Sequence, residues 1–116
     1  MSAELRRGVV VQVRFDPAEG REIRKTRPAV VVSNDAACAF DAVVQVVPVT
    51  RLPERDLRPY EARVDSPESG LSKPSRLVAN QIRTIAKQWV VRLLGRVSPV
   101  EERALDEALR IQLSLD

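Results

Sequence analysis

Histidine is absent from this 116-residue chain, and cysteine occurs once. Without histidine the protein has no Ser-His-Asp triad, no paired-histidine acid/base chemistry and no histidine-ligated metal. A single cysteine also excludes an intrachain disulfide and a thiolate zinc site. Cys38 lies in the apolar run Ala36–Phe40. Because no imidazole is available to activate its thiol, we expect a small buried side chain rather than a nucleophile.

Long apolar stretches and aromatic rings are also scarce. The longest apolar run, Ala36–Phe40, falls far short of the roughly 20 residues that span a bilayer. Met1–Gly8 lacks the apolar core of a signal peptide, so we expect a cytoplasmic protein with no membrane contact. The four aromatic residues do not predict extensive base stacking. Of these, we expect Trp89 in the core or at an interface.

The composition predicts one soluble domain over residues 1–116. Hydrophobic residues make up 44% of the chain and charged residues 30%, as in a compact soluble domain. A chain of 116 residues has no room for a second hydrophobic core. The net charge is +3, divided into +6 for residues 1–97 and −3 for residues 98–116. A basic body suits a polyanion such as nucleic acid, although a charge of this size is also ordinary for solubility.

Short valine-rich or alternating segments separated by turn residues predict six strands. They are Gly8–Phe15, Pro28–Asn34, Ala42–Thr50, Tyr60–Val64, Leu77–Ile85 and Val90–Val97. Proline and charge mark Arg51–Pro59 and Ser66–Ser75 as loops, and Ala86–Trp89 as a turn.

The last segment predicts a helix. Ser98 to Glu101 form a capping box with proline at the first helical position. An apolar face follows at helical spacing, at Ala104, Leu105, Ala108, Leu109 and Leu113. Together these elements predict a mainly β (α+β) fold, a small strongly curved barrel or sandwich closed by a C-terminal helix.

Three polar clusters could carry chemistry. Gly20–Pro28 is either a solvated hairpin loop or a cationic loop over a phosphodiester backbone. Pro48–Arg51 ends a strand with a hydroxyl beside a guanidinium, although a single strand threonine is commonly structural. In Asn80–Thr84, strand alternation would place Asn80, Ile82 and Thr84 on one face, and Gln81 and Arg83 on the other.

These clusters belong to six segments that occur in the order found in one known family. The segments are Arg7–Val10, Gly20–Glu22, Lys25–Asp35, Val47–Thr50, Asn80–Ile85 and Leu94–Pro99. In these segments the chain resembles the MazF/PemK toxins, small endoribonucleases of type II toxin–antitoxin systems. The loop between residues 51 and 75 matches least.

The resemblance implies an SH3-like β-barrel of the CcdB/PemK type that forms a homodimer. It implies sequence-specific cleavage of single-stranded RNA without a metal or other cofactor, giving 2′,3′-cyclic phosphate and 5′-hydroxyl ends and inhibiting translation and growth. A cognate antitoxin is the implied protein partner, and DNA would be contacted only indirectly, through that antitoxin.

The resemblance also assigns roles to individual residues. Arg27 matches the arginine before the strand proline, and its guanidinium suits stabilisation of charge on a phosphate. Thr50 would orient the phosphate or the 2′-hydroxyl, and Glu22 is the candidate base. The candidate RNA-binding residues are Arg24, Lys25, Arg51, Asn80, Gln81 and Arg83.

The chain departs from the family pattern at two positions. Asn80 stands where many members have aspartate, and Val78 where one branch has a catalytic arginine. Because asparagine cannot act as a base, no acid/base pair comes from this strand. We therefore expect a mechanism that depends on Arg27 and Thr50.

Other functions remain open on the sequence alone. A non-catalytic RNA- or gyrase-binding module could use the same barrel, and a nuclease that has lost its base would look similar. Gyrase poisons of the CcdB type carry a Trp-Gly-Ile tail, whereas this chain ends in Leu113-Ser114-Leu115-Asp116. A purely structural basic barrel would make the matched segments coincidental.

Overall fold

The computed structural model describes residues 5–15 and 26–116. Its strands are β1 (Val9–Val13), β2 (Arg27–Val31), β3 (Val43–Arg51), β4 (Glu61–Val64), β5 (Ser75–Val78), β6 (Arg83–Ala86) and β7 (Val90–Arg96). Its helices are α1 (Asp35–Phe40) and α2 (Pro99–Leu113), with single 3₁₀ turns at Pro67–Ser69, Ala79–Gln81 and Lys87–Trp89.

The strands form one antiparallel sheet in the order β4-β5-β3-β2-β1-β7, and β6 pairs separately with β3. Five of the six predicted strands are confirmed with bounds that differ by one to three residues, and the turn before β7 lies where it was expected. The predicted fold class, a mainly antiparallel sheet followed by a C-terminal helix, is also confirmed.

The central strands are buried on both faces, which explains their nearly continuous valine runs. In β1, Val10 packs in a cluster beneath α2, whereas Val9 and Val11 pack in a second cluster on the other side of the sheet. In β2, Val30 and Val31 divide in the same way. Since successive strand residues point to opposite faces, such burial requires apolar residues at every position.

The predicted strand Leu77–Ile85 was wrong as a single element. It consists of β5, the 3₁₀ turn Ala79–Gln81, and β6. β5 pairs with the end of β3 and β6 with its beginning, and neither pairs with β3 at Pro48. Proline has no N–H to donate to a ladder, so the partner chain leaves the sheet there. The alternation expected for Asn80–Thr84 is lost in the turn.

Helix α1 was missed by the sequence analysis, although a signal was present. The Asn34 side chain accepts a hydrogen bond from the Ala37 N–H at 2.8 Å, as an N-cap residue does. The helix buries Cys38, which is 1% exposed. Burial raises the pKa of this thiol, so it fits the predicted role of a small core residue.

Helix α2 begins at the predicted capping box, where the Ser98 and Glu101 side chains each bond the other's backbone N–H. Its buried face is narrower than expected. Leu105, Ala108 and Leu109 are buried, but Ala104 and Leu113 are exposed. Glu101, one turn before Leu105, is buried as well, because its carboxylate accepts hydrogen bonds from the N–H groups of Asp65 and Ser66 just after β4.

The side of the sheet between β7 and the turn Pro67–Ser69 is closed by backbone packing. A side chain at Gly95 would collide with the backbone of Glu68 and Ser69, and one at Gly70 with the carbonyl of Leu94. Gly70 also has a φ of +76°, which favours glycine. Within the described residues, no helix is long and apolar enough to cross a membrane.

Candidate active site

Arg27 and Thr50 lie at the same end of two neighbouring strands. The pairing of β2 with β3 ends at Ala29 opposite Pro48, and Arg27 and Thr50 are each two residues beyond that pair. Because residues two positions apart in a strand point to the same side, both side chains lie on the face that carries Ala29 and Pro48. Both side chains are exposed, and both line an open cleft of about 730 Å³.

The rest of this cleft is basic and contains several hydroxyl groups. Arg51 and Lys73 line it together with Arg27, and Ser72 and Ser75 add hydroxyls beside Thr50. The described residues that line it include no aspartate or glutamate. Three cations with no carboxylate among the described lining residues attract a polyanion and point to phosphate binding.

A general base is not among the described residues of the cleft. The candidate base Glu22 and the candidate RNA-binding residues Arg24 and Lys25 lie in residues 16–25, outside the described part of the chain. No group of three or more potential metal ligands is found among the residues that the structure describes.

Glu61, at the start of β4, is a buried carboxylate in a segment that the sequence analysis predicted only as an alternating strand. Its side chain is 1% exposed. It accepts two hydrogen bonds from Arg55 at 2.9 and 3.0 Å, one from the Arg58 N–H at 2.8 Å, and one from Arg76. The bonds from Arg55, acting against the cost of burial, lower its pKa to about 2. It therefore stays ionised at neutral pH, and it is too weak a base to take a proton from a hydroxyl group.

Arg76 is a second residue that the sequence analysis missed, and it lies near Thr50. It stands directly opposite Thr50 in the pairing of β5 with β3. Its Nε donates to the Arg51 carbonyl at 3.0 Å. Only the pairing of β5 with β3 brings it next to Thr50, and the local sequence carries no sign of that pairing.

The remaining candidate RNA-binding residues lie outside this cleft. Asn80 and Gln81 are exposed in the 3₁₀ turn, and Arg83 follows at the start of β6. The Arg83 guanidinium lies over the Phe15 ring, 4.8 Å from its centroid. That placement fixes the cation at the surface, where it remains accessible. Trp89, expected in the core or at an interface, is half-buried and packs against the cluster of β1.

A second cleft of about 590 Å³ lies on the other side of this turn. It is lined by Ile82 and by the end of α2, including Leu113 and Leu115. Its polar wall is a network in which Ser33 donates to Gln45 at 2.7 Å, and Gln45 to Thr84 at 3.0 Å. Leu113 and Leu115, which line it, are exposed apolar residues, as is the nearby Ile111 in α2.

An antiparallel β-sheet followed by a helix, with Arg27, Arg51 and Lys73 in one cleft, has the charge expected of a protein that binds a polyanion. The sequence matches the family of PemK-like, MazF-like toxins of type II toxin–antitoxin systems over residues 6–113. The chain therefore belongs to this family.

Individual relatives agree with the family match. Endoribonuclease MazF9 of Mycobacterium tuberculosis is 42% identical over 116 residues, covering 96% of this chain and 98% of that protein. Endoribonuclease EndoA of Bacillus subtilis is 30% identical over 114 residues, covering 96% of each.

Solved structures agree on the fold. An endoribonuclease in complex with its cognate antitoxin, from a mycobacterial species, superposes with a TM-score of 0.78 at 24% identity over 96% of each chain. The predicted fold class is thereby confirmed, although the described strands do not close into a barrel, since β4 and β7 end the strand order without pairing with each other.

Proposed function

We propose that this toxin is an endoribonuclease that cuts single-stranded RNA at the Arg27–Thr50 pair. The observation that carries the proposal is the cleft that Arg27 and Thr50 line together with two further cations, Arg51 and Lys73. The two relatives that cover almost the whole chain are endoribonucleases by name. The cleft binds the phosphodiester backbone, and its cations select a polyanion.

The chemistry that suits these residues is attack by the ribose 2′-hydroxyl on its own 3′-phosphate. A bond forms between the 2′-oxygen and phosphorus while the bond to the 5′-oxygen breaks. A proton moves overall from the 2′-hydroxyl to the leaving oxygen. The products are a 2′,3′-cyclic phosphate and a 5′-hydroxyl, and the reaction requires no metal ion.

Each residue of the pair has a separate task in this step. The Arg27 guanidinium stabilises the extra negative charge on the phosphorane, because it is a cation that can donate two parallel hydrogen bonds. Thr50 orients the phosphate through its hydroxyl. Glu22 is proposed as the base that takes the 2′-hydroxyl proton. Arg51 contacts RNA within the cleft.

The other candidate residues extend the RNA-binding surface. Arg24 and Lys25 precede β2, and Asn80, Gln81 and Arg83 occupy the turn between β5 and β6. We propose that the enzyme is a homodimer and that RNA follows a groove formed by both protomers. The end of α2 carries two exposed apolar residues, Ile111 and Leu113, and Leu115 follows just beyond it; the three are 47–58% exposed. We expect the partner subunit to cover them.

The cognate antitoxin is the proposed regulator, as the family description implies. It would block the RNA surface in the cytoplasm until it is removed, and it would account for any DNA binding. We propose that the loops determine which RNA sequence the enzyme recognises.

The test is digestion of a long RNA by the purified protein in excess EDTA, followed by sequencing of the ends. We expect discrete cuts with 5′-hydroxyl ends. Arg27→Ala should slow cleavage by about 10²- to 10³-fold, the effect of losing one donor to a developing oxyanion. Thr50→Val should slow it by about tenfold or more.

Arg103→Ala is the matched control, because Arg103 is an exposed cation on α2 that does not line the cleft. Its rate should equal that of the wild type. Wild-type rates in Arg27→Ala or Thr50→Val would refute the assignment of these residues. Retained RNA binding without any cut in several RNAs would identify a binding module instead.

A further inference from the structure

Thr50 has an arginine on either side of it in the sheet. On β5 its partner is Arg76, and on β2 Arg27 lies two residues beyond the last residue paired with β3 and lines the same cleft as Thr50. Opposite residues of paired strands share a face, as do residues two positions apart in one strand, so the three side chains form one row on the same face of β2, β3 and β5. The next residue of this row, Arg63 of β4, is exposed and pairs with Asp65 at 2.8 Å, which neutralises its charge.

The guanidinium of Arg76 is held in place on one side only. Its Nε donates to the Arg51 carbonyl, and its Nη1 donates to the Glu61 carboxylate. Its Nη2 has no acceptor among the residues that the structure describes. The side chain is 20% exposed, so this half of the guanidinium is preorganised to donate to an anion from solvent.

The charge of Glu61 does not require Arg76. Arg55 already binds both carboxylate oxygens, and the Arg58 N–H adds a further donor. The single negative charge of Glu61 neutralises only one of the two guanidiniums, so a net charge of +1 remains at this place. Because a buried carboxylate is satisfied by one bidentate arginine, the second arginine is available for another partner.

We propose that Arg76 binds the RNA phosphate next to the one that is cut, and that Glu61 holds it there. This assignment rests on the proposed ribonuclease function. Arg27 and Arg76 are separated by two strand spacings, about 10 Å between their Cα atoms. The bond to Glu61 also turns the Arg76 guanidinium toward β4, away from Arg27. The two guanidiniums therefore serve neighbouring phosphates, so Arg76 contributes to binding more than to the chemical step.

The experiment measures binding of an RNA that contains the mapped cleavage sequence with a 2′-deoxy nucleotide at the cut. Fluorescence anisotropy gives the dissociation constant at several KCl concentrations for the wild type and Arg76→Gln. Loss of one phosphate contact should lower the slope of log affinity against log salt by about 0.7. Affinity at low salt should fall about tenfold, and cleavage should show a raised KM with kcat nearly unchanged.

Two control variants separate a phosphate contact from a structural role. Arg55→Gln disturbs the same buried carboxylate without changing Arg76, so it should lower the melting temperature and leave the salt slope unchanged. Arg103→Gln removes an exposed cation outside the cleft and should change neither quantity.

A salt slope in Arg76→Gln equal to that of the wild type would refute the assignment, as would equal slope changes in Arg76→Gln and Arg55→Gln. Both results presuppose a wild-type protein that binds and cuts RNA. A wild type that does neither would instead overturn the proposed function, and the Arg76 assignment with it.

Discussion

Glu101 joins the start of α2 to the end of β4, and Glu101→Gln tests how much this joint stabilises the fold. One carboxylate oxygen accepts from the N–H groups of Asp65 and Ser66, at 2.8 and 2.9 Å. The other accepts from the Ser66 hydroxyl at 2.6 Å and from the Ser98 N–H at 2.9 Å. Glu101 is 7% exposed, so water does not replace these bonds easily.

The cost of Glu101→Gln follows from these four donors. The amide oxygen can keep the N–H groups of Asp65 and Ser66, while the hydroxyl of Ser66 can reverse and accept from the amide nitrogen. The Ser98 N–H then faces another donor, and an unpaired buried donor costs about 1–3 kcal/mol. The remaining bonds weaken because they lose the charge. We expect a loss of about 2–3 kcal/mol of unfolding free energy, or about 10 °C in Tm.

The assay is urea unfolding followed by circular dichroism, with Glu102→Gln as the matched control. Glu102 is the next residue, but its side chain is 27% exposed and 3.8 Å from Arg7. Such a pair contributes less than about 1 kcal/mol. If Glu101→Gln and Glu102→Gln unfold at the same urea concentration, the assignment of the joint to Glu101 is refuted.

The same variant has a defined pH dependence. Burial raises the pKa of Glu101, but hydrogen bonds from Ser66, Ser98 and Asp65 lower it by more, so the net shift is downward. A carboxylate with a lowered pKa contributes stability above its ordinary value of 4.5 and loses that contribution as the pH falls below it. The difference between the wild type and Glu101→Gln should therefore shrink below pH 4.5.

Two further predictions concern buried groups. The hydrogen bonds from Arg55 lower the pKa of Glu61 to about 2, so its stabilising contribution should decline as the pH falls from 4.5 toward 2. Glu61→Gln should flatten the curve of Tm against pH in that range, and an unchanged curve would contradict the shift. Cys38→Ala should retain the wild-type cleavage rate, because the buried thiol is not a nucleophile. A loss of cleavage in a folded Cys38→Ala would disprove this.

The local sequence determined the elements that depend on interactions or patterns among residues close together in the chain. The capping box at Ser98 places the start of α2 because its hydrogen bonds lie within four residues. The valine runs of β1, β2 and β3 predict buried strands because burial on both faces requires apolar residues throughout. The same segments carried the family resemblance, which the comparison with known proteins confirmed.

The tertiary structure decided what depends on strand pairing. The break between β5 and β6 follows from Pro48, which stands on another strand. The burial of Glu61 follows from Arg55 and Arg76, which reach it from a loop and a neighbouring strand. No periodicity within β4 signals that burial. Long-range pairing is not encoded by the residues near each position, so only the folded sheet brings Arg27, Thr50 and Arg76 into one row.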